Sequence, residues 1–220
     1  MSPSRAKGAE PSDLSPIDID AIGRTDACHA PFPHLIVPHF IRREAFSRIE
    51  ADFPKIEHNG SFPLTTLNYG PSFAELMAAI ERPQFRAAME QKLDVELAGR
   101  PTMTTVRGIC VPKDGRIHSD SRTKIVTVLI YMNGKWENPN GRLRLLRSPT
   151  DLDDVVAEVP PDEGTLLAFR NDRNAWHGFE SFAGRRRVIQ LNWVNDSNVV
   201  WREQTRHRVS AFFKRLYAPA

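Results

Sequence analysis

The chain is short of the features that hold small extracellular domains or membrane proteins together. Of its 220 residues only two are cysteines, Cys28 and Cys110, which argues against a disulfide scaffold and fits a reducing cytoplasm. No apolar run approaches the roughly 18 to 20 residues of a membrane-spanning helix. The N-terminal stretch MSPSRAKGAEPSDLSP has no apolar signal core. Charge of one sign is scarce as well: the net charge of +3 is too small to imply a nucleic acid or an anionic membrane as partner on its own. A solenoid-type internal repeat is also missing. What remains, with 40% hydrophobic residues, is enough to bury one core. The expectation is a soluble cytoplasmic protein of one domain.

Residues 1–20 are rich in Ser, Pro, Ala and charge, the composition of a disordered tail; residues 21–220 are expected to form the domain. His34 to Phe40 reads as a strand and Arg43 to Phe53 as an amphipathic helix. Pro71 and Ser72 open a helix reaching Ile80, and Pro83 opens another through Leu97 with Phe85, Met89 and Leu93 on one face. From Thr102 the texture turns to β, with strands expected at 102–111, 116–119, 123–132, 141–147, 154–159, 164–170, 175–180 and 186–194. This pattern, mainly β with flanking helices, suits a double-stranded β-helix of jelly-roll type. A basic amphipathic helix over 199–217, with Trp201, Phe212 and Phe213 on its apolar side, is expected to close the chain by covering a sheet.

The chemistry concentrates in DGRIHSDSRTKIVTVLIYMN. His118 and Asp120 are two apart, so on an extended segment they project to the same side while Ser119 points away. His177, in FRNDRNAWHGFESF, follows the apolar run 164–169 and stands at the edge of another strand. Two histidines and one carboxylate form the facial triad of non-haem Fe(II) oxygenases, which leaves coordination positions open, unlike a closed structural zinc site. In RRRVIQLNW, alternation puts Arg187, Ile189, Leu191 and Trp193 on one face and Arg186, Val188, Gln190 and Asn192 on the other. Read as a core residue, Arg187 carries a guanidinium that is costly to bury without a carboxylate, and its fork suits one bidentately. A ligand carboxylate is the expected partner. Tyr131 shares the parity of Thr127 and Leu129 and is placed to add a phenolic hydrogen bond to the same anion.

On these residues the chain resembles the iron(II)/2-oxoglutarate-dependent dioxygenases, and within them the prolyl-4-hydroxylase-like subgroup. The resemblance covers residues 100–195, with a looser match at APFPHLIVPHF. It implies that His118, Asp120 and His177 hold the metal and carry catalysis. It further implies that an arginine beyond the distal histidine, chosen as Arg187 from among Arg185, Arg186 and Arg187 by strand parity and the spacing to Trp193, binds the remote carboxylate of 2-oxoglutarate together with Tyr131. Gly141, Arg142 and Leu143 match the family's Gly-x-Leu strand. The implied cofactor is Fe(II) and the implied co-substrate 2-oxoglutarate. With dioxygen, the implied reaction hydroxylates an unactivated C–H bond of a small-molecule, sugar-related or protein substrate and releases succinate and CO2. Related halogenases lack the carboxylate that Asp120 supplies, which favours hydroxylation.

The remaining candidates have plainer readings. His29, His34, His39 and His58 are assigned to packing or solvent, and Cys110 to a buried small residue. Trp136 and Trp176 either line the substrate mouth or pack; Arg107 and Arg116 either meet an anionic substrate or stand on a solvated edge. Two other functions share the barrel. A cupin-like metal protein or isomerase typically uses His-x-His followed by Glu, where this chain has His118-Ser119-Asp120. A nucleic-acid demethylase of the same superfamily usually carries a further arginine at the end of the final strand, where VIQLNW offers none.

Overall fold

The computed structural model describes residues 15–198 and 200. Its strands form two antiparallel sheets. With β1 His34–Val37, β2 Phe62–Pro63, β3 Thr102–Cys110, β4 Lys124–Tyr131, β5 Leu143–Leu146, β6 Val155–Val159, β7 Leu166–Arg170, β8 Trp176–Gly178 and β9 Gly184–Val194, the major sheet runs β1-β7-β4-β9-β3-β2 and the minor sheet β6-β5-β8. Helices α1 Ile19–Arg24, α2 Arg43–Ala51, α3 Pro71–Ile80 and α4 Pro83–Leu93 cover the outer face of the major sheet. The expected jelly roll with flanking helices is the fold observed.

Two hydrophobic clusters follow from strand alternation. On the helix side, Val126, Val128 and Ile130 of β4 and Ile189, Leu191 and Trp193 of β9 pack with Ile49, Leu76, Phe85 and Met89. Phe85 stacks on Trp193 at 6.2 Å between ring centroids. Between the sheets lies a smaller cluster built on Tyr131, Leu143, Leu145, Phe169, Phe179 and Val188. The helices are local consequences of sequence: Pro71 and Pro83 occupy first-turn positions, where a missing N–H costs nothing. Helix α4 stops at Leu93, short of the expected Leu97, because Asp94 turns left-handed at φ 50°.

Several expected boundaries shift. Residues 15–20, expected in the tail, are placed: Ile17 is buried and bridges Ile41, and the Asp18 carboxylate accepts from the Ala21 N–H as the N-cap of α1. The segment 116–119 is not a strand. A 3-10 turn over Pro112–Gly115 precedes it, and only His118 pairs, as an isolated antiparallel bridge to His177. The closing helix expected over 199–217, apart from residue 200, lies outside the described residues. No helix among the described residues is long and apolar enough to cross a membrane.

Candidate metal centre

The cavity between the sheets has a volume of about 440 Å3, and the inward residues of three strands of the major sheet line it. Strand β3 gives Thr105 and Arg107, β4 gives Thr127 and Leu129, and β9 gives Arg186, Val188, Gln190 and Asn192. A bulge between Lys124 and Val126 breaks the alternation of β4, so Lys124 also lines this space. His118, Asp120 and His177 meet at its edge, with their ligand atoms all within 4.8 Å of one another.

Backbone contacts set this convergence. His118 N–H donates to the His177 carbonyl at 3.0 Å, and His177 N–H to the His118 carbonyl at 2.9 Å, the closed pair of an antiparallel ladder. Gly115 and Gly178 let the two segments come so close. A Cβ at 115 would stand 2.2 Å from the Phe179 carbonyl oxygen, and one at 178 would stand 2.9 Å from the Gly115 carbonyl oxygen. The imidazoles consequently lie 4.3 Å apart between centroids.

Each ring is oriented for a metal. Nδ1 of His118 is 2.9 Å from the Arg116 carbonyl and Nδ1 of His177 is 3.0 Å from the Ala175 carbonyl. Carbonyls only accept, so each Nδ1 donates, and Nε2 is the nitrogen turned toward a metal. Burial pushes His177 down to about 4, with the neighbouring His118 adding to the shift and Asp120 opposing it; the ring is therefore neutral near pH 7. Burial alone would raise the Asp120 carboxyl. The charge of Lys124, helped by the adjoining His177 ring and by hydrogen bonds from Lys124 and Thr127, outweighs burial and holds it below its ordinary value. Two imidazoles and one carboxylate fit a divalent cation, and the donor set fits Fe(II).

The arginine expected to meet 2-oxoglutarate needs correction. Arg187 lies on the helix side of β9, where its Nη1 is 3.2 Å from Glu50 Oε1 and its guanidinium is 5.2 Å from the centre of the Phe53 ring. The parity assigned to β9 is correct, but its apolar face packs under the helices and its polar face looks into the cavity. Arg186 is the arginine there. It is 7% exposed, its Nε donates to the Gly141 carbonyl at 2.8 Å, and its guanidinium lies 4.4 Å from the centre of the Phe179 ring. No carboxylate among the described residues pairs with it, and its Nη2 is buried without a hydrogen-bond partner. Tyr131 is fully buried, with its ring centroid 5.3 Å from the Arg186 guanidinium. Its hydroxyl is likewise unpartnered. Burial raises the phenol above its usual range despite the opposing Arg186 charge, so it is a neutral donor. Two orphaned donors side by side form a socket for an anionic oxygen ligand.

Other candidates fall as chemistry dictates. His34 is buried with Nδ1 2.9 Å from the Phe32 carbonyl, while His29, His39 and His58 are exposed. None joins the metal cluster. Arg107 reaches the cavity but faces Asp114 at 3.4 Å, Arg116 is exposed, and Trp136 packs against Phe182. Sequence reasoning missed the polar floor of Thr127, Gln190 and Asn192, which Asn171 joins through a hydrogen bond to Thr127. Its one signal was the polar side chains alternating with apolar ones along β9.

Comparison with known proteins agrees with this geometry. The family model of the 2OG-Fe(II) oxygenase superfamily matches residues 110–195, the span that holds His118, Asp120 and His177. No curated protein matches the chain. Among solved structures, a Pseudomonas putida prolyl-4-hydroxylase superposes with a TM-score of 0.52 at 17% identity, covering 81% of this chain and 97% of its own. A viral collagen prolyl hydroxylase from Paramecium Bursaria Chlorella virus-1 gives 0.51 at 13%, covering 74% and 96%. A prolyl 4-hydroxylase from Phytophthora capsici gives 0.53 at 16%, covering 84% and 64%. The matched span and its donor set support Fe(II) and 2-oxoglutarate as cofactor and co-substrate. From Cys110 to Asn195 the chain resembles the 2OG-Fe(II) oxygenase superfamily, and its fold is that of the prolyl-4-hydroxylase-like subgroup.

Proposed function

We propose that the protein is an Fe(II)/2-oxoglutarate-dependent oxygenase that hydroxylates an unactivated C–H bond of a small-molecule, sugar-related or protein substrate. The observation that carries this reading is Arg186, a buried guanidinium without an acidic partner in the same cavity as a His-Asp-His cluster. An uncompensated buried cation is costly, and a dicarboxylic acid with one end at the metal supplies the missing charge.

His118 and His177 would hold the metal through Nε2 and Asp120 through a carboxylate oxygen. Arg186, with Tyr131 beside it, takes the role expected of Arg187 and grips the far carboxylate of 2-oxoglutarate. When bound, Fe(II) and the 2-oxo acid would supply the oxidising chemistry: of the two atoms of dioxygen, one enters the acid as it loses CO2 to become succinate and the other enters the substrate as hydroxyl. The protein's own part is positioning and shielding. Leu129, Leu143, Phe179 and Val188 line the cavity and keep its wall apolar. Cys28 and Cys110 are both free thiols, as suits work in the cytoplasm.

Succinate release from 2-oxoglutarate, measured after anaerobic loading with Fe(II) and admission of air, is the test. The wild-type chain releases succinate and Asp120→Ala does not. Equal release by the two proteins would overturn the reading.

A further inference from the structure

Resting on the proposed iron site, we propose that Thr127 is a positioning residue that fixes the Asp120 carboxylate as a one-oxygen ligand. Thr127 lies on β4, 1% exposed, and its hydroxyl takes part in three hydrogen bonds. Asn192 Nδ2 donates to Oγ1 at 2.8 Å and Asn171 Nδ2 donates to it at 3.0 Å. The third bond runs from Oγ1 to Asp120 Oδ2, at 2.6 Å.

A hydroxyl has one hydrogen and two acceptor lone pairs. Two amide donors fill both lone pairs, so the hydrogen has only the carboxylate to go to. The Asn192 amide is oriented in turn, because its Oδ1 accepts from Gln190 Nε2 at 3.2 Å. A directed chain therefore runs from Gln190 through Asn192 and Thr127 to Asp120, each group donating to the next and polarising it. The other carboxylate oxygen, Oδ1, accepts from Lys124 Nζ at 2.7 Å.

This arrangement matters because of how many positions the metal must keep open. Two imidazoles and one carboxylate oxygen leave three positions of an octahedron, enough for a chelating 2-oxo acid and dioxygen. A carboxylate binding through both oxygens would leave two. With Oδ2 held by Thr127 and Oδ1 by Lys124, the carboxylate cannot rotate freely into two-oxygen binding; the Thr127 half of this clamp aligns it before the metal arrives, the kind of outer support that typically changes metal affinity about 10- to 100-fold when removed.

The test uses Mn(II), a divalent probe that needs no oxygen chemistry, titrated into the metal-free full chain and followed by electron paramagnetic resonance. Thr127→Val keeps the shape and removes the hydroxyl; it is expected to weaken Mn(II) binding about 10- to 100-fold. Thr127→Ser restores the hydroxyl and is expected to bind within about threefold of the wild type, since the outer-sphere bond is regained. Asn192→Asp leaves Thr127 in place but turns a donor into an acceptor that competes for its hydrogen, so it should also weaken binding. That variant decides the matter if Thr127→Val does not fold. Wild-type affinity in folded Thr127→Val or in Asn192→Asp overturns the assignment alone, as does a Thr127→Ser as weak as Thr127→Val, which would reveal a packing role. A wild-type chain that binds no Mn(II) overturns the metal-centre reading and this assignment with it.

Discussion

Arg186 and Arg187 are neighbours on β9 and face opposite sides of the major sheet. Arg187 finds its counter-charge within the protein, in Glu50 of α2, at a seam where both side chains keep contact with water at 20% and 38% exposure. Arg186 is almost wholly buried, bonded to one carbonyl and laid over Phe179, with a donor to spare. The same side chain thus serves architecture on one face and, in the proposed function, ligand capture on the other. What separates the two roles is whether the protein itself completes the ion pair.

The sharpest way to break this comparison is to neutralise each arginine in turn. Arg186→Met should raise the KM for 2-oxoglutarate about 150- to 5,000-fold, the equivalent of the ~3–5 kcal/mol lost when one partner of a buried ion pair is removed. Steady-state succinate assays over a range of 2-oxoglutarate concentrations would measure it, and a KM within threefold of wild type would return the role to Arg187 or Arg185. On the helix face, Leu191→Ala should cost ~2–5 kcal/mol of stability through the cavity it leaves. The KM of the folded fraction should stay as it was; denaturant titration alongside the same assay separates the two effects.

A pH series adds an intermediate effect. His177 is held down to about 4 in the folded chain, against an ordinary value near 6.5. Between those pH values the unfolded chain binds the extra proton and the folded chain does not, so stability rises with pH across the window and falls as the pH drops from 6.5 toward 4. The metal-free protein should show this slope in its denaturation midpoint, and His177→Asn should flatten it. The smallest effect is expected from Arg187→Met. An exposed-edge ion pair contributes ~0–1 kcal/mol, so both the KM and the melting temperature should move little.

Much of this was legible in the chain because it rests on short-range rules. The spacing of His118 and Asp120, the distal His177, the prolines opening α3 and α4, and the alternation of β4 and β9 are all local signals, and each is found where expected. The choice of arginine was a different kind of problem. Alternation sorts side chains onto two faces without saying which face is interior to the barrel, and a sheet covered by helices is apolar on the covered side. The larger core formed under α2, α3 and α4, leaving the more polar face of β9 to the cavity. The Thr127 network was hidden for a related reason: Asp120, Thr127, Asn171 and Asn192 come from four stretches of chain, and only tertiary structure shows that one hydroxyl joins them. Residues 116–119 were misread as a strand because their pairing is confined to a single bridge.

That single bridge has a consequence for handling the protein. His118 and His177 are joined main chain to main chain, and glycines at 115 and 178 let the two segments approach closely beside them. The spacing of two of the three ligands is therefore set by the polypeptide and not by an occupant, so stripping the ion with a chelator should leave a socket ready to be refilled. Iron loss in such a centre should be an emptying, reversible on adding the ion back, and distinct from the collapse seen when a metal is itself the keystone of a fold.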